Sequence, residues 1–466
     1  MVRTIAALFA VAAAVTFASA PHAARSTGPQ YVAPAGSGAL FLISGHGYGH
    51  GVGMGQWGAQ GYAQQGYAYD AILDAYYPGT ALGQTATTSI RVLLASGKKK
   101  LTISSKKQIT VEDGDGIDHT LPAGSTTLTP ALKLAVDGGP AQALVPPLTF
   151  SPTGGSKLTL GRTYRGKILV DVPNGKLRAI NVLGLQQYLY GVVTAEMPSS
   201  WLPAALEAQA VAARSYALAS KQAGAPYDVS AGGQAYLGVS AETPAGKQAV
   251  DATAGQVLLY GGDVALTLFS SSTGGRTQSA TDAFGPPGRP YLVSVSDPYD
   301  AISPYHDWGP VPVTGQMLGS AVGVVGRITD ATVKRNASRR VKTLKVTSVS
   351  RGTQLTASVG GVTAASALGL RSTWFSVGVL SLQPPSPNPA VALGTRVGLS
   401  GVVRGVKGVV VQRSTSGTPW TQFRSISTAG AFHVSVKPQV TTLYRLATQS
   451  DAAAPVRIRV KAATVK

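Results

Sequence analysis

Glu196 is a carboxylate standing where an apolar side chain would be expected. In LQQYLYGVVTAEMP, Leu185, Leu189, Val192 and Val193 recur at helical spacing. Glu196 continues their stripe three and four residues beyond the valines, and no other side chain between Leu185 and Trp201 is charged. Such an acid reads in two ways. It is either an ordinary helix-end carboxylate satisfied by backbone donors, or a desolvated acid of raised proton affinity suited to general acid/base work. The pattern alone leaves both open.

Two stretches must position it. After a Pro-Ser-Ser corner, a second helix is expected to open at Pro203, a favoured first helical residue. Its face of Leu206, Ala210, Ala213 and Ala217 is small enough for another helix to approach closely. The other stretch is GHGYGHGVGMGQWGAQGYAQQGYAYDAILDAYYPGT, from Gly45 to Thr80. It starts as a bare glycine loop carrying His46 and His50, whose intervening glycines argue against a helix aiming both at one metal. Helical spacing sets in at Gln56, with Tyr69, Ile72, Leu73 and Tyr76 as a buried face, and Tyr77-Pro78-Gly79 stops it.

These residues carry a resemblance. LQQYLYGVVTAEMP followed by ALEAQAVAARSYAL is similar to the signature of the SpoIID/LytB family, the sporulation protein D and amidase-enhancer group. The resemblance implies that Glu196 is the catalytic acid of a lytic transglycosylase acting on peptidoglycan glycan strands. Gln209 and Arg214 match the AQAVAAR part of the motif. The GHGVGM-x-Q-[WY]-GAQG block with its Tyr-Tyr-Pro-Gly-Thr ending resembles a second family signature, which puts His46, His50 and Gln56 among the substrate-binding candidates. Gly55 stands where the family usually has Ser, and Gln186 where it often has Glu. The block also precedes the AEMP segment instead of following it, as in a circularly permuted domain, so Gly45–Thr80 should fold back against the Glu196 helices. The SSTGGRT and PYL segments match the family too, adding Ser271, Arg276 and Tyr291, for which a polar turn and a core tyrosine are the competing readings.

The whole chain sets limits. With 56 glycines and 29 prolines in 466 residues, an α+β fold rich in strands is expected, with a few short helices around an active cleft. Residues 1–20 read as an export signal: Arg3, an apolar run from Ile5 to Phe17, then Ala18-Ser19-Ala20. A secreted or wall-associated protein without a membrane-spanning helix is expected after cleavage. Residues 21–44 read as a linker and 45–376 as the SpoIID/LytB-like domain. Within it 45–80 is the permuted segment, 89–183 the β-rich part and 185–222 the catalytic helices. Asn174-Gly175 gives a strong hairpin signal, and Asp113-Gly-Asp-Gly reads as a hairpin turn, since a calcium loop would need a downstream glutamate. A second linker is expected over 377–390, and short strands at regular spacing over 391–466 read as a small antiparallel, Ig-like β-sandwich.

Charge and cysteine content restrict the partners. Cysteine is absent, so neither a disulfide nor a thiolate metal site can form, and the Cys/His zinc of some family members is not expected. No metal or cofactor is implied. Net charge is +20, and from Ser386 onward eleven basic residues face one acid, Asp451. That excess favours electrostatic adhesion to anionic cell-wall polymers. Nothing resembles an RNA-binding aromatic signature, a zinc finger or a helix-turn-helix that would favour nucleic acid.

Ordinary glycoside hydrolysis needs two carboxylates, whereas these blocks offer one. A lone glutamate suits a transglycosylase, in which the C6 hydroxyl of muramic acid attacks C1 and no water is activated. The rival class is a non-catalytic amidase enhancer or wall-binding adaptor working with an amidase. A generic polyanion-binding secreted protein is a third reading.

Overall fold

Helix α5 (Pro203–Ala219) lies at the centre of the half of the molecule that carries Glu196. Eleven of its seventeen residues are buried, including the polar Gln209, Arg214 and Ser215, so burial extends nearly all round instead of along one stripe. Its alanines let four neighbours close in: α1 (Gln56–Gln64), α2 (Tyr69–Tyr76), α6 (Pro244–Ala252) and the strand Gln256–Tyr260. The structure, a computed structural model, describes residues 31–33, 38–86, 88–385, 390–427 and 429–461. The expected export signal lies outside the described residues.

Helices α3 (Leu185–Tyr190) and α4 (Val193–Glu196) replace the single helix implied by the apolar stripe. The break falls at Gly191, where a Cβ would come within 2.9 Å of the Gly238 carbonyl and of the Tyr236 ring. Continuing the helix with any larger residue would push that loop away. The strand Leu177–Gly184 runs directly into α3 and lies in a seven-stranded sheet. Its hairpin partner is Lys167–Asp171, joined through Asn174 and Gly175 at φ 53° and 69°, the left-handed pair that such a tight turn requires. Smaller sheets complete this β-rich part, in which strand outweighs helix as expected.

The Asp113 turn is a hairpin between Ile109–Glu112 and Asp118–Leu121, with Asp113 Oδ1 accepting the Asp115 and Ile117 amides. It also holds a clamp that the sequence did not suggest. His119 is buried with Nε2 3.1 Å from Asp113 and Nδ1 3.1 Å from Asp137. The hydrogen bond to Asp113 is the chief cause of a raised imidazole pKa, and both carboxylates sit below their usual range. A raised folded pKa means the contribution is complete below the ordinary histidine value and lost as pH rises through the folded one. The difference in Tm between wild type and His119→Leu should therefore shrink from pH 6 to pH 9 in thermal melts.

The chain divides into two units, and the boundaries differ from those expected. Val52–Ser271 with Ser279–Ile302 form the first. Among the described residues, 31–51, Ser272–Gln278 and 303–461 form the second. The expected linker over 21–44 contains the buried strand Leu40–His46, which pairs with Asp307–Thr314 on one side and Phe375–Gln383 on the other. The linker expected over 377–390 is strand through Gln383. The C-terminal strands do form two sheets over a shared core. They are not a detached module, because Val397–Arg404 pairs with Phe375–Gln383, and Tyr31–Val32 pairs in parallel with Asp451–Ala452. Leu40 and Leu42 belong to the same core. The domain expected over 45–376 is thus split, with residues 45–51, 272–278 and 303–376 built into the second unit. These apolar strands were misread because Pro- and Gly-rich flanks made them resemble connectors.

Candidate active site

Glu196 ends α4, and Met197 leaves in an extended conformation. Two donors reach its carboxyl from opposite directions in the chain. The Ala235 amide donates to Oε1 at 2.5 Å, and Gln56 Nε2 lies 3.2 Å from Oε2. Part of the residue stays accessible, yet the carboxyl itself is densely enclosed. Burial therefore raises its pKa, and the Ala235 and Gln56 hydrogen bonds only partly offset the rise. The fixed Ala235 donor obliges Oε1 to accept, so a proton on this acid belongs on Oε2. The Gln56 amide can turn to serve either protonation state.

The loop carrying Ala235 is pinned from three sides. Tyr188 donates to Gln234 Oε1 at 2.8 Å, and Gln234 Nε2 donates to the Ala213 carbonyl on α5. Tyr236 donates to Asn181 Oδ1 at 2.7 Å, and Asn181 spends its amide on the Arg165 and Lys167 carbonyls. Sequence reading missed this loop, since a backbone donor leaves no side-chain signal. Gly232-Gly233, just before it, is the one hint.

Gln56 opens α1, which is fixed by close packing. Met54–Gly55 pairs with Phe269–Ser270, and a Cβ on Gly58 would meet the Tyr76 hydroxyl at 2.0 Å and Asp297 at 2.4 Å. Tyr76 itself donates to Asp297 at 2.8 Å. Gly58→Ala should therefore displace α1 and break the Gln56–Glu196 contact. The expected result is a stability loss of roughly 2–3 kcal/mol, read as a lowered Tm in thermal melts. Of the segment Gly45–Thr80 expected to fold back against the Glu196 helices, α1 and α2 pack on α5, whereas residues 45–51 belong to the second unit.

The remaining candidates fall into three groups. Arg214 is fully buried on α5, where its guanidinium donates to Gln186 Oε1 and to the Gln256 and Val250 carbonyls. Expected to bind substrate, it is instead a staple joining α3, α5, α6 and the strand Gln256–Tyr260. Tyr291 is likewise a core residue, its hydroxyl accepting the Leu266 amide at 2.9 Å. Gln209 is fully buried, with neither amide atom hydrogen bonded among the described residues, so it offers no surface to a substrate. Half-buried Ser271 accepts the Trp57 amide on its carbonyl.

His46, His50 and Arg276 belong to the second unit. There His46 Nδ1 meets Asp307 Oδ1 at 2.5 Å, its ring lies 4.9 Å from Trp374, and a Cβ on Gly274 would come 2.6 Å from its own Cβ. The histidine loop and the 272–276 turn are therefore neighbours within that unit. Among the described residues no group of three or more His, Asp or Glu could hold a metal ion. Nor is any helix there long and apolar enough to cross a membrane.

Among the described residues, no second carboxylate contributes to the raised pKa of Glu196. The groups whose proton affinity its charge raises are Tyr188 and Tyr216. Glu207, half-buried on α5, is raised by desolvation, with no charge partner involved.

Residues 173–260, which contain Glu196 and the Ala235 loop, match the profile described as SpoIID, stage II sporulation protein. The chain carries a domain of the SpoIID/LytB family. The chain is also similar to three curated proteins. One is an uncharacterised protein of Brachyspira hyodysenteriae, 38% identical over 140 residues, 29% of this chain and 38% of that one. Another is the amidase enhancer of Bacillus subtilis, 39% identical over 112 residues, 24% of this chain and 15% of the relative. The third is stage II sporulation protein D of the same organism, 32% identical over 146 residues, 27% and 42% respectively. The chain thus spans less than half the length of each. No solved structure matches it significantly.

Proposed function

We propose that the chain remodels the bacterial cell wall as a lytic transglycosylase, with Glu196 as its single acid/base. The observation that carries this reading is a desolvated carboxyl with two anchoring donors and, among the described residues, no second carboxylate contributing to its raised pKa. Glu196 Oε2–H would protonate the glycosidic oxygen leaving C1 of muramic acid. The resulting carboxylate would then take the proton of the C6 hydroxyl as that oxygen attacks C1, leaving a 1,6-anhydro end. The acid is regenerated, and no water enters the balance. The raised pKa favours the starting protonated form.

Likeness to an amidase enhancer favours a second reading, a wall-bound adaptor for an amidase. Peptide-free and peptide-bearing glycan strands digested by the purified protein, and analysed by mass spectrometry, test both. Anhydro ends from the protein alone support the transglycosylase. Products that appear only with added amidase sink it and favour the adaptor. Export, and adhesion to anionic wall polymers through the basic C-terminal strands, belong to the same proposal.

A further inference from the structure

The first unit carries an exposed apolar step beside Glu196 that the acid/base chemistry does not use. Trp57 on α1 and Trp201, in the corner before α5, meet edge-to-face with centroids 4.8 Å apart and planes at 61°. Both tryptophans are only partly buried, and Leu202 beside them is 39% exposed. Two hydrogen bonds bracket the pair. Gln56, immediately before Trp57, donates to Glu196; Gln60, one turn later, accepts the amide of Leu202 at 3.0 Å. The same two segments therefore hold the carboxyl and the rings in fixed relation.

An edge-to-face pair is energetically satisfied as a pair, yet it leaves ring surface facing solvent. The accessible part of the pair adjoins the exposed Leu202, so the step is a continuous apolar surface. A pyranose with equatorial substituents presents a flat face of axial C–H groups, which matches a tryptophan surface in size and polarity. A peptide or a polyanion would find no charged or hydrogen-bonding group on either ring face.

We infer that Trp57 and Trp201 form a saccharide-stacking subsite that binds one sugar ring of a glycan strand next to the scissile bond and so sets where Glu196 cuts. This rests on the transglycosylase reading. Both are positioning residues: they hold the strand while Glu196 moves the proton.

The test separates binding from chemistry. Titration of Glu196→Gln with a peptide-free glycan tetrasaccharide, followed by calorimetry and tryptophan emission, should show binding with a change in emission. Adding Trp201→Ala or Trp57→Ala should weaken the Kd about tenfold, while the Phe replacements stay within about threefold. With Glu196 intact, the Ala variants should raise KM more than they lower kcat. Where an Ala variant melts early, the Phe double variant serves instead: it should bind while losing the emission change. Unchanged Kd in folded Ala variants, or no binding by Glu196→Gln, overturns the subsite. Binding with tryptophan perturbation but no anhydro ends from wild type leaves the subsite standing and removes the catalytic reading instead.

Discussion

Glu196→Gln is expected to reduce anhydro-end formation by roughly 10²–10⁴-fold, the usual contribution of a positioned general acid/base. Folding should be spared. Glutamine keeps an oxygen for the Ala235 amide, and Gln56 can turn its own amide to meet the new NH2 group. Burial makes the ionised acid the disfavoured form in the folded protein, so ionisation removes stability as pH rises through the raised pKa. The neutral variant escapes that loss, and its Tm should equal or exceed that of wild type at neutral pH. Activity of the wild type should decline as pH climbs through the same value, because the proton donor is consumed. Equal product yield from wild type and variant would remove Glu196 from the mechanism.

Arg214→Ala should produce the largest loss of stability, roughly 4 kcal/mol, from a cavity and several orphaned acceptors. For a unit of this size that corresponds to about 10 °C in Tm. The guanidinium is surrounded by an amide and two carbonyls, with no carboxylate among its hydrogen-bond partners, and burial lowers its pKa to about 10. Desolvation is thus poorly compensated. Gln186→Glu would supply the missing counter-charge and should raise Tm. If Arg214 held substrate instead, its loss would lower activity while the melt stayed put.

The sequence disclosed the parts of this site that side chains announce. A carboxylate on an apolar stripe marked Glu196, and Pro203 marked the start of α5 to the residue. The hairpin at Asn174-Gly175 followed from backbone preference alone. What stayed hidden depends on long-range placement. The Ala235 donor belongs to a loop 39 residues away, held by Gln234 and Tyr236. Arg214 and Tyr291 looked like site residues because they fall in segments matching the family's motifs, whereas both are satisfied inside the core. The same limit explains Leu40–His46, whose partners lie more than 260 residues onward and could not be guessed from its flanks.

That strand has a consequence for biosynthesis. Leu40–His46 emerges early but cannot be paired until Asp307–Thr314 and Phe375–Gln383 have been made. The intervening stretch, Val52–Ile302 apart from Ser272–Gln278, can meanwhile mature around α5 by itself. A growing chain would therefore complete its glutamate-bearing half first and keep one sticky ribbon waiting, a hazard for aggregation in any chain interrupted before residue 383.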